Sequence, residues 1–384
     1  MFKTLNLFSF RLAIMIVTTS VLFTSCNTDE VDLLDVPSTY TFTRDGSNSV
    51  VYSGQTERLD MLALMTTYLK TSNTVGSATL DANTLKNMFR NEGSPFGVQS
   101  YSKNLISKCF AADTLMFLQF MDEAAVASAA TGTASNGTAG VLVDGSSDPT
   151  VGYRVDANGV EMTQVIEKGL MGSVFFYQVM EVYLSGERMG AVGNSELVDD
   201  KNYTNMEHYF DEAFGYFGAP VDFPSGAMLE DNGFRFWSKY CNSREEGLYP
   251  GINNEIALAF RTGRAAIVAK DYDVRDEAIQ TIQQKWAIVI AASAVSYLNQ
   301  ALSAAGTDEY KRHHKMSEAV GFMLGLKYHF AGGNSKYPPH FTHMHIGQAL
   351  SEIGPSTNLY TVTDTNIESA INHIKMAFPS GEIK

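Results

Sequence analysis

The sequence predicts an all-α protein built as two pseudo-symmetric helical bundles joined by long loops. Three observations carry this. Apolar residues recur at helical spacing through most of the chain, convincing alternating strand patterns are lacking, and one helix-borne motif occurs twice, 106 residues apart. At 384 residues and 45% hydrophobic, the chain can bury a large core. Acidic residues exceed basic ones, 42 to 28, for a net charge of −14, which argues against a general nucleic-acid binder. The charged and apolar fractions exclude global disorder, and three cysteines exclude a disulfide scaffold.

The first segment reads as an address. Lys3 and Arg11 are the only charges before Asp29, and an apolar stretch runs from Leu12 to Phe23. It is too short to span a bilayer as a helix and long enough for the core of a signal peptide. It ends Leu22-Phe23-Thr24-Ser25-Cys26. This resembles a bacterial lipobox, although Phe23 stands where an aliphatic residue is usual. The expectation is a lipoprotein signal peptide at 1–25, cleavage before Cys26 and lipidation of Cys26, so that acyl chains hold the protein at a membrane. An ordinary signal peptide with a chance cysteine is the alternative. Cleavage would delete two basic residues and leave a body at −16. Asn27-Thr28-Asp29-Glu30 resembles an export signal of surface lipoproteins, so the expected location is the outer membrane, on either face. Residues 26–50 read as a tether.

From Ser53, a plausible N-cap, Leu59, Leu62, Met65 and Leu69 mark a helix. Further helices are expected near 81–90, 102–129, 161–186, 202–217, 251–270, 275–304, 308–330, 341–353 and 364–378. Residues 130–150, rich in Ala, Gly, Ser and Thr, read as a flexible loop, and 218–234, with Pro220 and Pro224, as another. The predicted halves are 51–217 and 218–384.

The repeat is His208-Tyr-Phe-Asp-Glu212-Ala-Phe-Gly215-Tyr against His314-Lys-Met-Ser-Glu318-Ala-Val-Gly321-Phe. Each follows a long apolar helix carrying Tyr-Leu, at Tyr183-Leu184 and Tyr297-Leu298. On a helical projection Met206, Phe210, Ala213 and Phe217 share a face, with His208, Asp211, Glu212 and Gly215 opposite. In the second helix His314, Glu318, Gly321 and Gly325 lie opposite Met316, Ala319, Val320 and Met323. Glycine costs about 1 kcal/mol against alanine in a helix, so Gly321 and Gly325 point to close approach of another helix or a ligand. Histidine and glutamate four apart can reach one ion together. The expected metal residues are therefore His208, Glu212, His314 and Glu318, converging between the halves on iron or another divalent metal. The bland alternative, a hydrogen-bonded pair stitching helices together, stays open, because acidic neighbours of histidine are common by chance.

Asp211, Arg264 and Gly321 complete the candidate ligand-binding set. Arg264 could grip a carboxylate as a fork, or pair with a nearby acid. His340, His343 and His345 follow Pro338-Pro339 and read as a polar loop or a second metal or haem site. Trp286 reads as core. Asp156-Ala-Asn158-Gly-Val-Glu161 departs from the calcium-loop spacing and is set aside. Cys109 and Cys241 could pair or stay buried and free. No phosphate-binding loop, nucleophile elbow, His-Glu-x-x-His zinc helix or haem-attachment motif is found.

Val36-Pro-Ser-Thr-Tyr, Tyr52-Ser-Gly-Gln-Thr-Glu-Arg58-Leu-Asp60-Met, Met206-Glu-His208-Tyr-Phe-Asp-Glu212-Ala-Phe-Gly-Tyr, Phe260-Arg-Thr-Gly-Arg264-Ala-Ala-Ile and Ser317-Glu318-Ala-Val-Gly-Phe together resemble the bacterial lipoproteins of the domain-of-unknown-function family numbered 4856. The resemblance covers nearly the whole body. That family is similar to imelysin-type iron-regulated envelope proteins, two-bundle helical proteins with a Gly-x-His-x-x-Glu motif and a proposed role in iron uptake. This chain has His-x3-Glu, with no glycine two positions before His208 or His314. The resemblance implies an envelope protein binding iron, haem or another metal in uptake, partnered by iron- or haem-uptake proteins. A metal-dependent hydrolase at the same site and a non-catalytic scaffold are the rivals.

Overall fold

A computed structural model describes residues 34–143, 150–190, 193–225, 233–329 and 331–384. The expected signal peptide, Cys26 and the acidic residues after it lie outside the described residues, as do parts of both expected loops and Phe330. The helices are α1 (Ser53–Lys70), α2 (Ala82–Arg90), α3 (Thr114–Ser128), α4 (Met162–Leu170), α5 (Gly186–Gly190), α6 (Asn205–Phe217), α7 (Trp237–Glu245), α8 (Ile252–Ala269), α9 (Tyr272–Ala304), α10 (Glu309–Leu326), α11 (His343–Glu352) and α12 (Asp364–Ala377). The fold is all-α, as predicted.

α4 does not stop at Leu170. It runs on as wide π turns over Met171–Phe176 and Gln178–Tyr183, which completes the predicted helix. Nearly every side chain in this stretch is buried, so packing rather than propensity sustains the uncommon winding. α9, 33 residues long, is apolar enough by length and composition to cross a membrane, yet it packs between α8, α10 and α12 with Trp286 at its buried centre.

Three expectations change. Residues 34–50 are not a free tether: Tyr40 and Phe42 are buried, and β1 (Thr43–Arg44) pairs antiparallel with β2 (Ser47–Asn48). Aromatic burial outweighs the segment's lack of helical pattern. The loop at 130–150 holds β3 (Gly140–Val143), which pairs antiparallel with β4 (Gly152–Val155); the alternation is too short to stand out in the sequence. The helix expected at 102–129 begins only at Thr114, after two short 3-10 turns. Helix α7, inside the second half, has no counterpart among the expected helices.

The residues on either side of 217 share one apolar core. Phe217 touches Phe223, Phe260 and Trp286 across that boundary. Cys109 and Cys241 are both buried and unpaired, and burial pushes the Cys109 thiol up to about 11.

Candidate functional site

The repeated motif is first a packing device. Seven residues after each histidine a glycine lets another segment come close. A Cβ on Gly215 would lie 2.7 Å from Tyr52 Cβ and 3.0 Å from Gln55 Cβ; one on Gly321 would lie 2.5 Å from Lys168 Cβ and 2.9 Å from the Gln164 carbonyl oxygen. Gly321 thus admits α4, and of its two predicted uses the structure shows the helix. Gly172 and Gly325 extend the same contact. Eight residues after each histidine an aromatic ring meets the upstream tyrosine: Tyr183 stacks on Tyr216, and Tyr297 on Phe322.

The two His–Glu pairs do not come together. α6 packs on α1, α8 and the π turns, while α10 packs on α4 and α9. Among the described residues no three His, Cys, Asp or Glu side chains gather as an ion cage. The predicted four-residue centre between the halves is therefore two separate places.

At the first, His208 Nε2 lies 4.0 Å from Glu212 Oε2, and its ring stacks on Tyr203. Its Nδ1 is buried without a partner. Glu212 accepts a hydrogen bond from Gln55 Nε2 at 2.7 Å. Asp211 is not on the polar face beside them. It is fully buried, accepting from Arg264 Nε and from the Tyr40 hydroxyl, both at 2.9 Å. Arg264, also 0% exposed, bonds Glu207 at 2.8 Å, and Glu207 accepts from Arg44 and closes the Thr204 capping box. Asp211 and Arg264, expected at a ligand, are thus committed to each other inside the core. Burial raises the Asp211 carboxyl to about 7 against the opposing pull of Arg264 and Tyr40.

At the second place the surroundings are richer. His314 Nδ1 lies 2.6 Å from Glu161 Oε2, and its Nε2 lies 3.4 Å from Glu318 Oε2. The ring stacks on Tyr153 at 3.9 Å between centroids and 6° between planes, and Tyr153 stacks on Tyr310. Glu161 is pinned rather than adaptable. Its N–H donates to Ser317 Oγ, its Oε1 accepts from Gln164, and its side chain is fully buried. The turn before it is fixed by Asp156 Oδ1, which accepts from the Asn158 and Val160 N–H groups, and by His313, whose Nδ1 sits 2.9 Å from the Gly159 carbonyl oxygen. The segment set aside as a calcium loop is therefore an Asx turn that delivers Glu161. Arg154 holds the β3–β4 hairpin, and with it Tyr153, by donating to the Ser72 and Ala130 carbonyls.

His314 and Glu318 open onto a cleft of about 820 Å³ between α1, α4, α7 and α10. Lys168 lies in its wall, donating to Glu167 and Gln164 and 3.6 Å from Glu318. Burial works against this ammonium, but Glu167, Tyr240 and Glu318 outweigh it and raise its pKa. Lys315 reaches Glu318 at 3.1 Å from the edge. Burial pushes the Tyr297 phenol up to about 12, so it stays a neutral donor.

The histidines after Pro339 do not form a second centre. His340 bonds Glu382, His345 bonds Gln348, and His343 packs on Phe341 near His329.

The fold and this cleft define an all-helical protein with a charged and aromatic recess beside a doubly held histidine. The chain matches the domain-of-unknown-function family DUF4856 over residues 37–379 and belongs to it. No curated protein and no solved structure gives a significant match.

Proposed function

We propose that this is a lipid-anchored envelope protein that binds a divalent metal, iron foremost, in uptake, and that His314 and Glu318 are the ligands. The observation that carries the reading is the Glu161–His314 contact of 2.6 Å. A carboxylate on one ring nitrogen fixes the tautomer and raises the basicity of the other, the arrangement that metal-bound histidines almost always keep. It leaves Nε2 facing Glu318 and the cleft. Gly321 lets α10 approach α4 closely enough for this contact between residues 153 apart in the chain. Lys315, partly exposed, would swing away when the ion arrives.

Two protein ligands leave several coordination positions open. That suits an exchangeable ion rather than a structural one, which is normally enclosed. The imelysin resemblance and the lipobox support the envelope setting; iron- or haem-uptake proteins of the same membrane are the partners this implies. Metal content of the purified protein tests the reading. Wild type should retain or take up a divalent ion, and His314→Ala should lose it while still folding; equal metal in both would overturn the assignment.

The Glu161–His314 dyad is also compatible with one rival, a metal-dependent hydrolase in which His314 would hold the ion, the ion would supply an activated water, and Glu318 would serve as general base. Turnover on a peptide panel by the metal-loaded wild type, lost in Glu318→Gln, would establish that alternative instead.

A further inference from the structure

A second cleft, of about 350 Å³, lies between the last turn of α7, the turn after it and α9, and shares only Ser243 with the cleft beside His314. Among the described residues no Asp or Glu side chain lines it, in a protein of net charge −14. Two cations do. Arg244 donates from Nη1 to the Ala292 carbonyl and from Nη2 to Ser243 Oγ. Lys384 donates from Nζ to the Leu248 carbonyl and lies over the Tyr249 ring. Neither makes an ion pair among the described residues. Burial pushes the pKa of Arg244 down, while the phenols of Tyr297, Tyr249 and Tyr240 pull the other way. Burial raises those three phenols, so they stay neutral and supply no counter-charge. Arg244 Nε is buried without a partner, and each terminal nitrogen keeps one uncommitted N–H.

The α9 wall is unusual for a surface. Residues 286–307 contain no charged side chain, although Asn299, Gln300 and Ser303 are exposed. An exposed helix face ordinarily carries charged residues. Here Ser296, Asn299, Gln300 and Ser303 bring hydroxyls and amides to the cleft beside Val295. Gln300 Nε2 reaches Ser296 Oγ at 3.3 Å, and the Asn299 side chain has no protein partner among the described residues. We infer that this cleft binds a small oxyanion bearing hydroxyl groups, its carboxylate or phosphate gripped by Arg244 and its hydroxyls bonded by the neutral α9 face. A guanidinium meets two oxygens of such a group at once, and here no carboxylate of the wall competes for it. Amides both donate and accept, which suits hydroxyl groups rather than a second charge. The volume lies at the small end of ligand pockets, enough for one sugar-sized acid. The inference stands apart from the His314 metal assignment.

The experiment is calorimetric titration of the full chain, dialysed free of metal, with gluconate, glucose 6-phosphate, glucose and acetate. At least one of the two hydroxylated anions should saturate at millimolar concentration or below, and the tighter of them tells a carboxylated from a phosphorylated ligand. Glucose, without charge, and acetate, without hydroxyls, should each bind at least about tenfold more weakly. Arg244→Gln should weaken the hydroxylated anion at least about tenfold. Because Arg244 also holds the Ala292 carbonyl, Asn299→Asp provides the control. It sets a carboxylate in the cleft at an exposed position, and should weaken the anion at least about tenfold with the melting temperature unchanged. Failure of both anions to saturate, glucose or acetate binding as tightly as they do, or binding indifferent to either substitution overturns the proposal. Because no metal is present, every one of these results leaves the His314 assignment to its own test.

Discussion

The α6 and α10 sites begin from one motif and end differently. Both place a histidine, a glutamate one turn on, and a glycine under a neighbouring segment. At α10 the imidazole is gripped at both nitrogens and opens onto a cleft. At α6 one nitrogen is buried without a partner, the glutamate turns to Gln55, and the charge below is consumed by the Arg264 network. The repetition therefore records how helices pack. What could make one copy functional is a residue the motif does not contain, Glu161.

The largest expected effect probes the α6 side. Arg264→Leu removes the cation shared by Asp211 and Glu207, buried at 0% and 1%, leaving Asp211 only the Tyr40 hydroxyl, and should cost about 4 kcal/mol of stability by urea unfolding, because breaking a buried ion pair leaves uncompensated charge. A loss below about 1 kcal/mol would show that the network is incidental to the α6 site.

Next come the paired glycines. Gly321→Ala drives a methyl to 2.5 Å from Lys168 Cβ on α4 and should cost about 3 kcal/mol, whereas Gly215→Ala meets Tyr52 Cβ at 2.7 Å, a slightly longer approach, and should cost about 2 kcal/mol. Equal penalties would mean that the two contacts are equally rigid.

A smaller effect separates both sites from the third histidine environment. His329 is buried beside His343 with neither ring nitrogen bonded, and burial lowers its pKa to about 3. The unfolded chain, with an ordinary histidine, therefore binds the proton more readily. Stability is full above the unfolded pKa near 6.5 and is lost as pH falls below it. Between pH 7 and 5 this amounts to about 2 kcal/mol. His329→Leu should remove that component of the pH dependence; an unchanged slope would assign it to other groups.

The helical fold was legible because apolar periodicity is local. Leu59, Leu62, Met65 and Leu69 all face the core, and Gly321 correctly announced a close approach. The site was legible only in part. His314 and Glu318 stand on one helix and are visible together, but Glu161, Tyr153 and Lys168 arrive by tertiary packing from elements far away in sequence. Nothing local marks an Asx turn as the carrier of a histidine's partner. Asp211 departs from its expected place for a related reason: its helical phase leaves it beside His208, and Arg264 and Tyr40, 53 and 171 residues away, hold it inside the core.

The most direct test of the central claim is the stoichiometry of cobalt(II) binding, followed by its visible absorption, in wild type, His208→Ala and His314→Ala. The account predicts one ion in wild type and in His208→Ala and none in His314→Ala. Loss in both variants, or loss with His208→Ala alone, would contradict it.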